Sequence, residues 1–344
     1  MRLSGGRPRV GFLGVGWIGR HRMEAMVATG AIEAAAFVDP SDDAAAAASR
    51  IAPEAVRAAS LDALLALNLD AVVIATPSAA HAGEAIRALT RGVAVFCQKP
   101  LGRTEAEARA VVAAAGASDR LLGVDLSYRH AEGARRIRSL IGEGALGRIF
   151  AVDLVFHNAY GPDKPWFYDP ALSGGGCVMD LGVHLIDLAL WSLGPDAVQH
   201  ADAHLFAGGA PVREPLGRTE DYATATLTLA SGAVVRLACS WRLHAGQDAV
   251  ISASFFGDRG GAELRNVGGS FYDFTAERFD GTARTTLATP PDAWNVGAAQ
   301  EFSRALAKGG RFDPEVESVT AVAAVIDRIY GRRPAAREGL RKAS

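Results

Sequence analysis

Val10-Gly11-Phe12-Leu13-Gly14-Val15-Gly16-Trp17-Ile18-Gly19 joins a short apolar run to a G-x-G-x-x-G turn at the head of a helical stretch. Each glycine has its own physical task in such a strand-to-helix turn. Gly14 permits the tight turn, Gly16 lets a pyrophosphate approach the backbone, and Gly19 lets the helix lie close to the strand. The N–H groups of the first helical turn, at Trp17 and Ile18, then face an anion. Asp39 lies twenty residues beyond Gly19, at the end of the second apolar run. A carboxylate there receives a ribose hydroxyl and repels a 2′-phosphate, which favours NAD over NADP.

Working outward, the first 125 residues alternate short apolar runs with longer Ala-rich segments, the rhythm of a doubly wound α/β sheet. Strands are predicted at Arg9–Leu13, Glu33–Val38, Asp70–Ala75, Val93–Cys97 and Leu121–Val124. Helices are predicted near 17–29, 41–50, 60–67, 79–91 and 104–116, with Ser60 and Thr104 as N-caps and Glu107 completing a capping box. From about Arg148 the texture changes to alternating strands: Ile149–His157, Thr219–Ala230, Ala233–Arg242 and Ala249–Phe256. Ala230-Ser231-Gly232-Ala233 is a hairpin turn between two of them, and Ala293–Lys308 and Pro314–Tyr330 are closing helices. The expected organisation is a Rossmann domain over 1–125, to which closing helices return from the C-terminus, and an α+β domain over 126–344. The second domain carries a large, open-faced mixed or antiparallel sheet.

The 344 residues are enough for two domains with real cores, and 49% hydrophobic with 22% charged residues excludes wholesale disorder. Thirty-six Lys and Arg against 38 Asp and Glu leave a formal charge of −2, with no basic field for nucleic acid or anionic lipid. Cys97, Cys177 and Cys239 form no C-x-x-C pair, which fits reduced thiols in a cytoplasm. The first twelve residues show no apolar h-region or cleavage pattern, so no export is expected. Apolar stretches such as Leu61–Ala75 and Leu181–Leu193 are interrupted well before the ~18 residues that cross a bilayer, so no membrane partner is expected. The Arg-rich end, Arg332, Arg333, Arg337, Arg341 and Lys342, reads as a solvated terminus.

Two motifs stand at carboxyl ends of later strands, where open α/β sheets bind ligands. Thr76-Pro77 ends one strand and Gln98-Lys99-Pro100 the next, each proline stiffening the wall. Lys99 follows the apolar run Val93–Cys97, where a solvated lysine is out of place. His81, opening the next helix, either packs, caps or touches the cofactor. Further on, Ser173-Gly174-Gly175-Gly176 feeds an apolar helix on which Asp180, His184 and Asp187 recur at i, i+4 and i+7, one polar stripe. The stripe faces a wet catalytic cleft or forms an internal hydrogen-bonded network. No metal-ligand spacing accompanies it, and no metal is expected.

Taken together, Gly14-x-Gly16-x-x-Gly19, Thr76-Pro77 with His81, Lys99-Pro100, and Gly175-Gly176 followed by Asp180 and His184 resemble the Gfo/Idh/MocA oxidoreductases. The resemblance runs over nearly the whole chain, densest from Val10 to Tyr128 and from Gly174 to Asp187. It implies a Rossmann domain with an open-faced α/β domain, whose sheet forms a homodimer or homotetramer interface. It also implies hydride exchange between a nicotinamide cofactor and a carbohydrate-like alcohol or carbonyl. By the same resemblance Lys99 matches the catalytic lysine, Asp180 and His184 match the groups that handle the hydroxyl proton, and Arg129 falls at a substrate-contacting position. One position departs: the residue before the lysine is Gln98, where the family usually has Glu.

The expected chemistry has His184, oriented by Asp180, accept the hydroxyl proton while Lys99 hydrogen-bonds the same oxygen. The turn-rich, aromatic segment Tyr160–Pro170 is a substrate-side loop, with Trp166 and Trp241 as stacking candidates and His157 and Asn158 as further contacts. Three other readings remain open: an NAD-binding sensor without turnover, a non-redox glycoside-cleaving enzyme that retains NAD, and a reductase of a non-sugar substrate.

Overall fold

The computed structural model describes residues 6–194, 196–212 and 217–332. Of the Arg-rich end only Arg332 lies among them; Arg333, Arg337, Arg341 and Lys342 fall outside.

The first half is built as β1 (Arg9–Leu13), α1 (Trp17–Ala28), β2 (Glu33–Val38), α2 (Asp42–Ile51), β3 (Val56–Arg57), α3 (Leu61–Leu65), β4 (Ala71–Ile74), α4 (Ser78–Thr90), β5 (Ala94–Cys97), α5 (Glu105–Ser118) and β6 (Leu122–Val124). These strands form one parallel sheet in the order β3-β2-β1-β4-β5-β6, so the strand order reverses at β1/β4 and opens a crevice there. Every residue of β4 and β5 is buried, as expected of strands covered on both faces. Ser60 caps α3 through the Ala63 N–H, and Thr104 caps α5 through the Glu107 N–H. Glu107 does not close a capping box; its carboxylate accepts from the Arg103 N–H instead, one residue earlier.

A 3₁₀ turn (Ser127–His130) leads into α6 (Glu132–Gly142), which sequence reading leaves unassigned. The second half then runs β7 (Ile149–Asn158), α7 (Pro170–Ser173), a π turn (Val178–Gly182), α8 (Val183–Leu193), β8 (Val198–Ala207), β9 (Ala210–Pro211), β10 (Tyr222–Leu229), β11 (Val234–Ser240), β12 (Ala249–Gly257), β13 (Gly261–Asn266), β14 (Phe274–Asp280), β15 (Ala283–Ala288), α9 (Gly297–Ala307) and α10 (Ser318–Ile329). Nine strands form a mixed sheet, β15-β14-β13-β12-β7-β11-β10-β8-β9, with β7 and β11 parallel and the other pairings antiparallel. One face packs α6, α8 and α10 into a single apolar core. The opposite face carries half-exposed Asp153, Val155, His157, Val250 and Thr224.

Helix α9 does not stay with this sheet. Ala298, Ala299, Phe302 and Leu306 pack into the core of the parallel sheet, with the Phe302 ring 5.3 Å from Phe96. Residues 170–193 are apolar and long enough to span a bilayer, but 72% of the most apolar window is buried inside the protein, as for a core helix.

Candidate active site

A cleft of about 900 Å³ separates the two sheets and is lined from both sides: Gly14, Gly16, Trp17, Ile18, Asp39, Thr76, Pro77, His81, Gln98 and Lys99 on one, Trp166, Phe167, Met179, Asp180 and His184 on the other. The glycine turn fits its expected tasks one by one. Gly14 has φ +83°, and a Cβ there would stand 2.6 Å from the Ala75 carbonyl oxygen. At Gly19 a Cβ would run into the Gly14 carbonyl, so this residue serves helix-to-strand packing rather than contact with a ligand. Among the described residues a Cβ on Gly16 would meet no atom within 4 Å, which leaves its backbone open to close approach of a pyrophosphate.

Asp39 is held at the cleft floor by two backbone donors, Val15 N–H to Oδ2 at 2.8 Å and Ser41 N–H to Oδ1 at 2.9 Å. Each oxygen keeps a lone pair for a sugar hydroxyl. Turn, helix head and fixed carboxylate together fit a nicotinamide dinucleotide, with the phosphates on the α1 N-terminus and a ribose on Asp39.

The wall motifs are tied to each other. His81 places Nδ1 2.7 Å from the Pro100 carbonyl and Nε2 2.8 Å from the Thr76 carbonyl, spanning the ends of β4 and β5. Burial pushes its pKa down against the pull of the two carbonyls. Thr76 gives its hydroxyl to Glu84 at 2.6 Å. Along the same cleft lies a buried polar knot of which sequence reading finds only Gln98. Arg22 pairs with Asp125 at 2.5 Å, Ser127 donates to Asp125 at 2.6 Å, and the Gln98 amide donates to the same carboxylate. Asp125 follows β6, a carboxyl end of a parallel strand, and that position was the available signal.

Lys99 and Asp180 meet across the cleft. The Lys99 ammonium donates to both Asp180 Oδ1 and the Asp180 carbonyl at 2.7 Å, and the Trp241 indole donates to Asp180 Oδ2 at 3.0 Å. Asp180 therefore orients Lys99 rather than His184, correcting the expected pairing. Two of the three ammonium donors are used, which leaves one for a ligand oxygen. His184 stands with its ring centroid 5.2 Å from that of Tyr128, and its Nδ1 is buried without a partner among the described residues. Its pKa lies well below the usual 6.5, first through burial and then through the nearby Lys99 and Arg22 cations. The imidazole is neutral at neutral pH.

Other expected contacts lie elsewhere. The polar stripe splits: Asp187 is buried in a two-pronged pair with Arg129, at 2.9 and 2.5 Å, away from the cleft. Arg129 is thus committed to that internal pair and not to a ligand. The strand alternation that buries Phe156 turns His157 to the open face of the nine-stranded sheet, where it bonds Ser240 Oγ at 2.8 Å and stacks on Tyr222. Asn158 accepts the Tyr160 N–H at 2.7 Å in its own turn. Trp241, 3% exposed, serves Asp180 instead of stacking on a ligand, whereas Trp166 lines the cleft and stacks on Phe167. The triple glycine is closely packed: a Cβ on Gly174 would stand 2.8 Å from Arg103 Cβ, one on Gly175 would strike the Tyr330 hydroxyl, and one on Gly176 the Glu220 carbonyl. Three elements converge there too closely for any side chain.

Residues 8–126 match the family model described as an oxidoreductase family with an NAD-binding Rossmann fold, and residues 134–263 match the GFO/IDH/MocA C-terminal domain. The chain is 30% identical to a putative UDP-kanosamine synthase oxidoreductase subunit of Amycolatopsis mediterranei, over 96% of this chain and 97% of that one. It is 29% identical to D-glucoside 3-dehydrogenase of Escherichia coli over 58% of this chain, and that match spans 60% of the relative's length. A solved levoglucosan dehydrogenase, in complex with NADH and levoglucosan, superposes with a TM-score of 0.80 at 22% identity, covering 95% of this chain and 98% of that one. The turn at Gly14–Gly19, the fixed Asp39 and the Lys99–Asp180 pair thus stand in a chain that belongs to the Gfo/Idh/MocA oxidoreductase family and uses a nicotinamide dinucleotide.

Proposed function

We propose that the protein interconverts a secondary alcohol and a ketone on a sugar, inositol or related polyol, with NAD as the partner. The single observation that carries this is the meeting of Lys99, Asp180 and a neutral His184 in the cleft that also holds Gly16 and Asp39. Bound on the α1 head and Asp39, NAD supplies the two-electron oxidation. The relative named D-glucoside 3-dehydrogenase and the structure bound to levoglucosan support a sugar-like substrate.

In the oxidising direction His184 accepts the hydroxyl proton, being unprotonated at neutral pH. Lys99, held by the Asp180 carboxylate and carbonyl, aims its remaining donor at the oxygen on which negative charge grows. Trp241 fixes the second Asp180 oxygen, so Lys99 cannot swing without breaking two contacts. Each of the two groups is worth roughly two to four powers of ten in turnover. A second reading has Lys99 pass the proton to Asp180, because Asp180 touches Lys99 and not His184.

The test is nicotinamide reduction across a panel of inositols, aldoses and sugar acids with NAD⁺ and NADP⁺, beside Lys99→Ala and His184→Ala. Reduction with NAD⁺ that both substitutions abolish, with cofactor affinity kept, is the expected outcome. Near-full turnover in His184→Ala moves proton removal to the Lys99–Asp180 pair. Turnover untouched by Lys99→Ala sinks the site altogether.

The open sheet face, with Val155 and Val250 partly exposed, supports association of copies through that surface into a dimer or tetramer. The three cysteines are buried and free, which supports a reducing compartment such as the cytoplasm.

A further inference from the structure

We infer that Glu220 is a positioning residue for the Lys99–Asp180 pair; the inference rests on the reading of that pair given above. Glu220 lies just before β10, 1% exposed and outside the cleft lining. Its Oε2 accepts the Gly176 N–H at 2.9 Å, and its Oε1 accepts the Val178 N–H at 2.9 Å and the Tyr330 hydroxyl at 2.8 Å. Its backbone carbonyl accepts the Cys177 N–H at 3.0 Å. Three successive N–H groups at the head of the 178–193 helical run therefore end on one residue.

Helix heads carry such unpaired donors and ordinarily take a side chain from the residue just before them. Here the residue just before is Cys177, whose thiol points to the Cys239 carbonyl and caps nothing, the three before it are glycines, and the acceptor arrives from a strand start 44 residues beyond Gly176. No cation pairs with Glu220 among the described residues, so hydrogen bonds alone hold the buried carboxylate. Burial raises its pKa, and the three donors act against that rise.

What the clamp holds is the turn that carries Asp180. The Asp180 N–H donates to the Gly176 carbonyl at 3.0 Å, so Gly176 is fixed from one side by Glu220 and fixes Asp180 from the other. Residues 178–182 form a π turn, wider than an α-helix and dependent on outside contacts for its shape. That turn sets both Asp180 acceptors toward Lys99. Tyr330, at the end of α10, extends the clamp to the helix that closes the second core.

Glu220→Gln keeps the side-chain shape but turns amide hydrogens toward a backbone N–H, and Tyr330→Phe removes one hydroxyl only. Both are compared with Lys99→Ala for NAD⁺ affinity, for kcat and KM, and for the Trp241 indole N–H resonance, assigned through Trp241→Phe. That resonance reports the Asp180 Oδ2 contact without turnover. Expected are a kcat loss of about ten- to a hundredfold in Glu220→Gln, a smaller one in Tyr330→Phe, and near-parental NAD⁺ affinity. The Trp241 resonance moves in both variants while the other indoles hold still. An unchanged Trp241 resonance with unchanged kcat per NAD⁺-binding site overturns the inference, even where the melting temperature falls. If Glu220→Gln does not fold, Tyr330→Phe decides by the same two readouts. If Lys99→Ala turns over like the parent, the functional reading fails and the Trp241 resonance alone decides the clamp.

Discussion

His184 is surrounded by groups that resist its protonation: burial first, then Lys99 and Arg22. The form that accepts a proton therefore persists below 6.5, where a free histidine starts to charge. We expect kcat/KM for alcohol oxidation to stay level through 6.5 and to decline only at lower pH, measured at saturating NAD⁺ from about pH 5 to about pH 8. An acidic limb centred at or above 6.5 counts against His184 as the base. The same shift acts on stability, because the unfolded histidine takes its proton near 6.5 and the folded one only at lower pH. The His184 contribution is complete above 6.5 and is lost as pH falls toward the folded value. Gln98 donates its amide to Asp125. Asp125 already supplies a carboxylate, paired with Arg22, and a Glu at 98 would set a second carboxylate against it.

In the β1–α1 turn Gly19 is packed against backbone while Gly16 faces open space, so substitution of the two has different expected costs. Gly19→Ala drives a methyl group into the Gly14 carbonyl, and neither backbone can yield without moving the strand or the helix. Gly16→Ala meets nothing within 4 Å among the described residues, so its cost to the fold is small. Expected, then, are a parental melting temperature with at least about tenfold weaker NAD⁺ binding in Gly16→Ala, and a lowered melting temperature in Gly19→Ala. Equal melting losses in the two would show that Gly16 also serves packing. At this scale legibility followed burial. Strands β1, β4 and β5 are covered on both faces and read as apolar runs, whereas four of the six β15 residues are exposed and left no pattern. Helix α6 hid because its sequence, EGARRIRSLIG, buries only Gly133, Ala134 and Ile137. The π turn was invisible in principle: a helical spacing argument assumes a constant period, and the wider turn before His184 breaks the stripe between Asp180 and Asp187.

At the scale of the molecule the chain leaves the parallel sheet after β6, builds the nine-stranded sheet, and returns through α9 to finish the first core. Phe302 is 5% exposed, and its ring lies against Phe96 of β5. A Cβ on Gly123 of β6 would stand 2.8 Å from the Phe302 ring, so strand and helix are fitted to each other. The cleft therefore depends on residues from both ends of the sequence: α9 supports the sheet whose strand ends carry Thr76, Lys99 and Asp125. Arg103 and Arg332 reinforce the link, Arg103 donating to the Ala171 carbonyl at 2.6 Å and Arg332 to the Arg103 carbonyl at 2.7 Å. Sequence texture marked both closing helices and a return to the first domain, but nothing in their pattern says which of the two makes it, because an apolar stripe fits either sheet. A fragment ending at residue 131 keeps every strand of the parallel sheet and lacks α9. It is expected to unfold without a cooperative transition, while Phe302→Ala in the full chain costs about 3–5 kcal/mol in denaturant melts. A fragment that melts cooperatively and binds NAD⁺ as tightly as the full chain would show instead that the first 131 residues fold alone, with α9 an accessory to a core already complete.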